Sequence, residues 1–138
     1  MNEIIQQIHT ATSGSAVLVG KAAKDLNGYE TFTGNWIDVV IPSSSIEQIK
    51  TLGRYMSIQG GTTFTSPTVD QFIVKTDDRW ILDVFVQDEI DESTYTVISG
   101  SNVITPQADV DYHMAVSASL KTQHLHNKVQ ARKELYGL

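Results

Sequence analysis

The sequence of 138 residues contains no cysteine. The chain can therefore form neither disulfides nor thiolate metal sites, and histidine, aspartate and glutamate are the strong metal ligands that remain. No apolar run approaches the roughly 20 residues of a membrane span. The N-terminus also lacks the basic start and the apolar stretch of a signal peptide. These absences predict a chain without membrane contact that is made and used in the cytoplasm, or is assembled from there.

Basic residues are scarce as well, since ten lysines and arginines accompany sixteen aspartates and glutamates. Their distribution is uneven: residues 1–120 carry 6 basic and 15 acidic side chains, whereas residues 121–138 carry four basic and one acidic. An acidic body repels phosphates, so direct nucleic-acid binding is not expected. Ser, Thr, Asn and Gln supply 40 residues instead, and this composition suits β-rich surfaces better than long exposed helices.

Hydrophobic periodicity predicts one α+β domain over residues 1–120, with a mainly antiparallel β-sheet or small sandwich, an N-terminal helix and one internal helix. Alternating apolar and polar residues make 111–120 ("DYHMAVSASL") the clearest predicted strand, with one face in the core and the other in water. Predicted helices occupy residues 2–11 and 43–56, and predicted strands occupy residues 16–19, two hairpins at 29–42 and 70–87, and one or two segments within 94–105.

After residue 120 the spacing becomes helical, and residues 121–138 are predicted to form a basic C-terminal helical arm with a thin apolar stripe. The charge of this arm is opposite to that of the body, so an identical neighbour would offer it an acidic surface. Self-assembly follows if the arm of one copy reaches the body of the next. The predicted interface residues, on the first helix and on the arm, are Ile4, Ile8, Leu125, Lys128, Val129, Arg132, Lys133 and Tyr136.

No stretch carries a diagnostic catalytic or cofactor motif. Residues 14–22 ("GSAVLVGKA") miss the phosphate-binding loop, which needs four residues between its glycines and a Ser or Thr after its Lys. His124 and His126 point in different directions on a helix and cannot share a metal ion. The acidic residues of segment 77–92 lack the glycine and the spacing of a calcium loop. The sequence therefore predicts neither a cofactor nor a metal site.

Two alternatives to self-assembly remain open. Trp36 and Trp80 begin or anchor strands, where core positions are expected, but on an exposed sheet face they would suit a small carbohydrate- or peptide-binding module. Asp83 lies inside an apolar strand, where burial would raise its pKa, and together with His113 it could serve a hydrolase or a metal enzyme. Because the sequence pairs no two carboxylates across a cleft, a non-enzymatic role is the expectation.

In its general character the chain resembles the minor structural proteins of tailed-phage virions, such as decoration (cement) proteins, tail terminators and head–tail completion proteins. The resemblance is carried by the segments "GNWIDVVIP" (34–42) and "MSIQGGTTFTSP" (56–67), by the strand predicted at 111–120 and by the arm at 121–138. It implies a virion component that contacts copies of itself and other structural proteins. An exposed loop such as 59–67 would then fill gaps between subunits.

Overall fold

A computed structural model describes residues 1–57, 70–120 and 123–138, and the loop at 59–67 lies outside this range. The described chain is α+β, with helices at both ends, which confirms the predicted fold class. The helices are α1 (Asn2–Ala11), α2 (Gly20–Leu26), α3 (Ile46–Lys50), α4 (Pro106–Leu120) and α5 (Gln123–Tyr136). The strands are β1 (Val17–Val19), β2 (Trp36–Ile41), β3 (Arg54–Ser57), β4 (Asp70–Lys75), β5 (Ile81–Val86), β6 (Tyr95–Ile98) and β7 (Ser101–Ile104).

The strands form one mixed sheet in the order β3-β4-β5-β2-β1-β7-β6. The predicted hairpin at 70–87 is present as the antiparallel pair β4–β5, and β6 and β7 form a second hairpin. The hairpin predicted at 29–42 is wrong, because this segment supplies the single strand β2, which pairs with β1 and, in parallel, with β5. That parallel register sets Asp38 beside Asp83 in the middle of the sheet.

The hydrophobic core lies between one face of the sheet and the helices α1, α2 and α3. Residues of β2 alternate between the two faces, as a pleated strand requires. Ile37, Val39 and Ile41 are fully buried in the core, whereas Asp38 and Val40 lie on the opposite face. Helix α1, which was predicted, contributes its buried isoleucines to this core, namely Ile4, Ile5 and Ile8.

The strand predicted at 111–120 is wrong, because these residues lie in helix α4. The helix begins upstream of them, where Pro106 occupies a first-turn position that needs no amide donor. The Thr105 hydroxyl accepts a hydrogen bond of 3.1 Å from the amide of Ala108, so it caps the helix. Val110 and His113 are then buried at helical spacing. The alternation seen in the sequence therefore belongs to a helix whose start signal precedes it.

Replacing Thr105 with Ala is expected to lower the free energy of unfolding by about 1 kcal/mol, because the capping oxygen of α4 is lost. Urea denaturation followed by circular dichroism measures this difference. Thr105→Ser keeps the hydroxyl and is the matched control, with an expected loss of only a few tenths of a kcal/mol. Equal losses in the two variants would show that the methyl group, and not the cap, stabilises this end of α4.

The predicted C-terminal helix is confirmed as α5, which packs against α4. The proposed boundary at residue 120 falls between these two helices, and a separate role for residues 121–138 stays a prediction. Within the described ranges, none of the helices has the length and apolar character needed to cross a membrane.

Candidate active site

A cavity of about 620 Å³ lies between the face of the sheet opposite the core and the helices α4 and α5. Its volume is in the range of sites that bind small molecules and cofactors. Strands β1, β2 and β5 supply one wall, and the segment after β5 supplies a rim that includes Glu89 and Asp91. Helices α4 and α5 supply the wall that faces the sheet.

Two carboxylates from neighbouring strands lie on the sheet wall of this cavity. Asp38 and Asp83 are register partners, and both line the cavity. Burial, and then the charge of Asp83, raise the pKa of Asp38 to about 6. Burial also raises the pKa of Asp83, as the sequence predicted, although Gln71 donates a hydrogen bond of 2.6 Å to its Oδ1 and opposes that rise. The pair therefore carries negative charge that the protein only partly neutralises.

The turn between β1 and α2 brings the backbone against one of these carboxylates. Gly20 has a φ of +62°, and a Cβ at this position would overlap the carboxylate of Asp38. Glycine meets both requirements, because it has no side chain and adopts positive φ readily. The next residue, Lys21, also lines the cavity, and its charge acts to lower the pKa of Asp38. The start of α2 thus lies against the carboxylate of Asp38 and also carries Lys21.

Three basic residues form a second group of like charges in the same cavity, and we call Lys24, Lys128 and Arg132 the basic cluster. Burial lowers the pKa of Lys128, and the charges of Arg132 and Lys24 lower it further. Lys24 also forms an ion pair of 3.8 Å with Glu30. Several cations that line one cavity and lower each other's pKa are the arrangement expected of a site for a multivalent anion.

Asp109 of α4 is buried, with only 3% of its surface exposed, and its hydrogen bonds connect α4 to α5 next to the basic cluster. Its Oδ1 accepts a hydrogen bond of 3.2 Å from Nε of Arg132, and its Oδ2 accepts one of 2.5 Å from the hydroxyl of Tyr136. His113 Nδ1 lies 3.1 Å from the Oδ1 atom. Burial acts to raise the pKa of Asp109, but these three partners together hold it below its ordinary value. Asp109 therefore remains a carboxylate at neutral pH.

The structure places the predicted interface residues in several environments. Lys128 and Arg132 line the cavity, and Val129 and Tyr136 are buried within the chain itself. Ile4 and Ile8 belong to the core, Lys133 is half-buried, and the side chain of Leu125 lies outside the described residues. A contact between subunits through these residues stays a prediction.

Asp83 and His113, which the sequence analysis considered for an enzyme, do line the same cavity. Trp36 and Trp80 do not: Trp36 is 46% exposed, and Trp80 packs against the edge of the core. The sequence analysis did not single out Asp38, which lines the cavity beside Asp83, although the two residues share one sequence signal. Each is a lone acidic residue inside an apolar strand, in "WIDVVI" and "WILDVF". Buried acidic residues of this kind are candidates for functional sites.

The residues present fit a divalent cation that arrives with phosphates. Within the described residues, no group of three or more His, Asp or Glu side chains could hold a metal ion. Magnesium, however, is commonly bound by one or two protein carboxylates, with water and substrate phosphates as its other ligands. Burial and, after it, the charge of Asp83 raise the pKa of Asp38, and a bound cation would offset both effects.

No protein-family model and no curated protein sequence matches the chain. Solved structures do resemble it: ANT(2'')-Ia in complex with adenylyl-2''-tobramycin matches with a TM-score of 0.55 and 15% identity over 97% of both chains. JHP933 from Helicobacter pylori and a protein from H. pylori provisionally assigned as a nucleotidyltransferase give TM-scores of 0.50 and 0.51 at 17% identity. Each match covers 82% of this chain. The chain spans only about half of the length of these two proteins, 54% of JHP933 and 56% of the second protein.

These neighbours overturn the resemblance to phage virion proteins and the non-enzymatic assembly role that it implied. The chain shares its fold with ANT(2'')-Ia and with the H. pylori protein provisionally assigned as a nucleotidyltransferase, and these neighbours support neither a virion component nor a carbohydrate- or peptide-binding module. The resemblance to virion proteins rested in part on the strand predicted at 111–120, and that segment is helical. At 15–17% identity, the similarity establishes the fold alone.

Proposed function

We propose that the chain binds a nucleoside triphosphate with a divalent cation and transfers a nucleotidyl group to an acceptor hydroxyl. The observation that carries this proposal is that the pair Asp38–Asp83 and the basic cluster line one cavity. A cation neutralises the two carboxylates, and a polyphosphate neutralises the basic cluster. The fold supports the same reaction class, because the ANT(2'')-Ia structure contains an adenylylated tobramycin.

In this proposal Asp38 and Asp83 hold the cation, and Gln71 fixes the orientation of Asp83 by its hydrogen bond. When bound, such a cation neutralises phosphate charge and orients the reacting oxygens. Lys21 and the basic cluster attract the triphosphate into the cavity. The acceptor hydroxyl gives up its proton to water, and its oxygen forms a bond to the α-phosphorus. The bond from this phosphorus to the oxygen that bridges it to the β-phosphorus breaks, and pyrophosphate leaves with that electron pair.

Calorimetric titration with ATP, in the presence of Mg²⁺ and in the presence of EDTA, tests the binding step. We expect Mg²⁺ to tighten ATP binding to the unsubstituted chain. Asp38→Asn and Asp83→Asn should each lose roughly tenfold to a hundredfold in affinity for MgATP, the size expected for a lost charged contact. Asp78→Asn, in an exposed turn, is the matched control and should bind as the unsubstituted chain does.

Release of pyrophosphate from ATP in the presence of polyol and aminoglycoside acceptors tests the transfer step. Asp38→Asn and Asp83→Asn should abolish it, and Asp78→Asn should not. If ATP binds with equal affinity in Mg²⁺ and in EDTA, the cation site is refuted. If MgATP binds but no nucleotide yields pyrophosphate with any acceptor, the chain is a binding protein and the proposed transfer is wrong.

A further inference from the structure

Helix α5 presents two cations on the side that lines the cavity. Lys128 and Arg132 are four residues apart, so they lie on one face of the helix, one turn from each other. Both act on Asp38 across the cavity, since their charges lower its pKa. Two of the basic residues of the C-terminal segment therefore place their charge inside their own chain, within reach of Asp38.

The guanidinium of Arg132 is held by hydrogen bonds at Nε and Nη1, and its Nη2 can donate to a ligand. Its Nε donates to Asp109, and its Nη1 donates to the backbone oxygen of Lys128 at 3.4 Å. For Nη2 no hydrogen-bond partner is found among the residues that the structure describes, and the side chain is 13% exposed at the cavity wall. A planar guanidinium that is held at Nε and Nη1 can still donate to a phosphate from Nη2.

The support of Arg132 is itself rigid. Tyr136 donates to the second oxygen of Asp109, and its ring packs edge-to-face on Tyr29 with 4.9 Å between the ring centroids. His113 reaches both the carboxylate and the backbone oxygen of Asp109. Each oxygen of the buried carboxylate thus has a protein partner, and rotation of the carboxylate would break several hydrogen bonds at once.

We infer that Arg132 and Lys128 bind the β- and γ-phosphates of the nucleotide, and that Asp109 and Tyr136 are positioning residues that aim Arg132 at them. This inference rests on the proposed function, and it assigns the terminal phosphates to α5. The nucleoside would make no contact with these side chains. Removal of the Arg132 guanidinium should therefore weaken the binding of phosphates without weakening the binding of the nucleoside.

Calorimetry with three probes, MgATP, Mg²⁺–tripolyphosphate and adenosine, separates these contributions. Arg132→Gln should weaken MgATP and tripolyphosphate binding roughly tenfold to a hundredfold and leave adenosine binding within twofold. Arg132→Lys should recover only part of the loss, because an ammonium cannot donate from two edges. Lys133→Gln removes a charge from the same helix outside the cavity, and it should change all three affinities less than twofold.

Tyr136→Phe and Asp109→Asn test the positioning role, since neither residue is expected to touch the nucleotide. Each should raise the ratio of the MgATP to the adenosine dissociation constant. A purely structural role would weaken the binding of both ligands together and leave this ratio unchanged, which would overturn the positioning role. If Arg132→Gln binds tripolyphosphate as tightly as the unsubstituted chain, the inference fails while the proposed function stands. If the unsubstituted chain binds no MgATP, the proposed function fails first.

Discussion

Replacing Asp109 with Ala is expected to lower the free energy of unfolding at neutral pH by about 3–5 kcal/mol. Asp109 is 3% exposed, its carboxylate accepts hydrogen bonds from Arg132 and Tyr136, and His113 lies beside it. Its removal leaves a partly buried guanidinium without its counter-charge and a buried phenol without its acceptor. Domains of this size are stable by only about 5–15 kcal/mol, so the loss is a large share of the total. Urea denaturation followed by circular dichroism measures it.

Asp111→Ala, on the same helix, is the matched control for this prediction. Asp111 is exposed, and among the described residues its carboxylate accepts a hydrogen bond of 2.9 Å from Gln107, one turn away on the same helix. Its loss should change the free energy of unfolding by less than about 0.5 kcal/mol. Equal effects of the two substitutions would show that the contacts of Asp109 contribute no net stability.

The effect of Asp109→Ala should also depend on pH with a defined sign. The partners of Asp109 hold its pKa below the ordinary value in the folded chain. Its ionised contacts therefore contribute stability above the ordinary pKa, and this contribution is lost as the pH falls through the lower folded value. The gap in stability between the unsubstituted chain and Asp109→Ala should accordingly narrow in acid. A constant gap would mean that lost packing, and not lost charge, causes the destabilisation.

Local sequence patterns predicted the helices and hairpins whose signals lie within a few residues of one another along the chain. Helix α1 followed from the spacing of its isoleucines, and the hairpin β4–β5 followed from alternation around Asp77 and Asp78. The error at 111–120 came from an alternating pattern that can also occur in a helix; within 111–115, His113 alone is buried. The stronger signals, Thr105 as a cap and Pro106 in the first turn, lie just upstream of that segment.

The candidate site could not be derived from local patterns, because its parts meet only through the pairing of distant strands. Asp38 and Asp83 become neighbours through the parallel register of β2 and β5, which no turn or loop length specifies. Gly20 is significant only once the Asp38 carboxylate lies against it. The charge of the C-terminal helix was noticed, but the sequence could not show that Arg132 finds an acidic partner, Asp109, within its own chain.

Asp38→Asn is expected to raise the free energy of unfolding at pH 7–8 by up to about 3 kcal/mol. In the folded chain, burial and the Asp83 carboxylate raise the pKa of Asp38 from 3.8 to about 6. At about 1.36 kcal/mol per pKa unit, ionisation of this side chain costs the folded state nearly that amount. A carboxylate that lowers stability in a cavity is typical of a site where stability is exchanged for function. Asparagine has a similar shape and carries no charge, so it removes the cost.

The sign and the pH window follow from the direction of the shift. Because the folded pKa is raised, the stability contributed by the protonated form is complete below about 3.8 and is lost as the pH rises through about 6. Urea denaturation from pH 4 to pH 8 should therefore show equal stabilities of Asp38→Asn and the unsubstituted chain at pH 4, with a gain for the variant that appears between pH 4 and pH 6 and then stays constant. Asp78→Asn should show no such gain. If Asp38→Asn is the less stable chain at pH 8, the negative charge of Asp38 is already compensated within the fold, and the argument for a bound cation at Asp38 and Asp83 loses its physical basis.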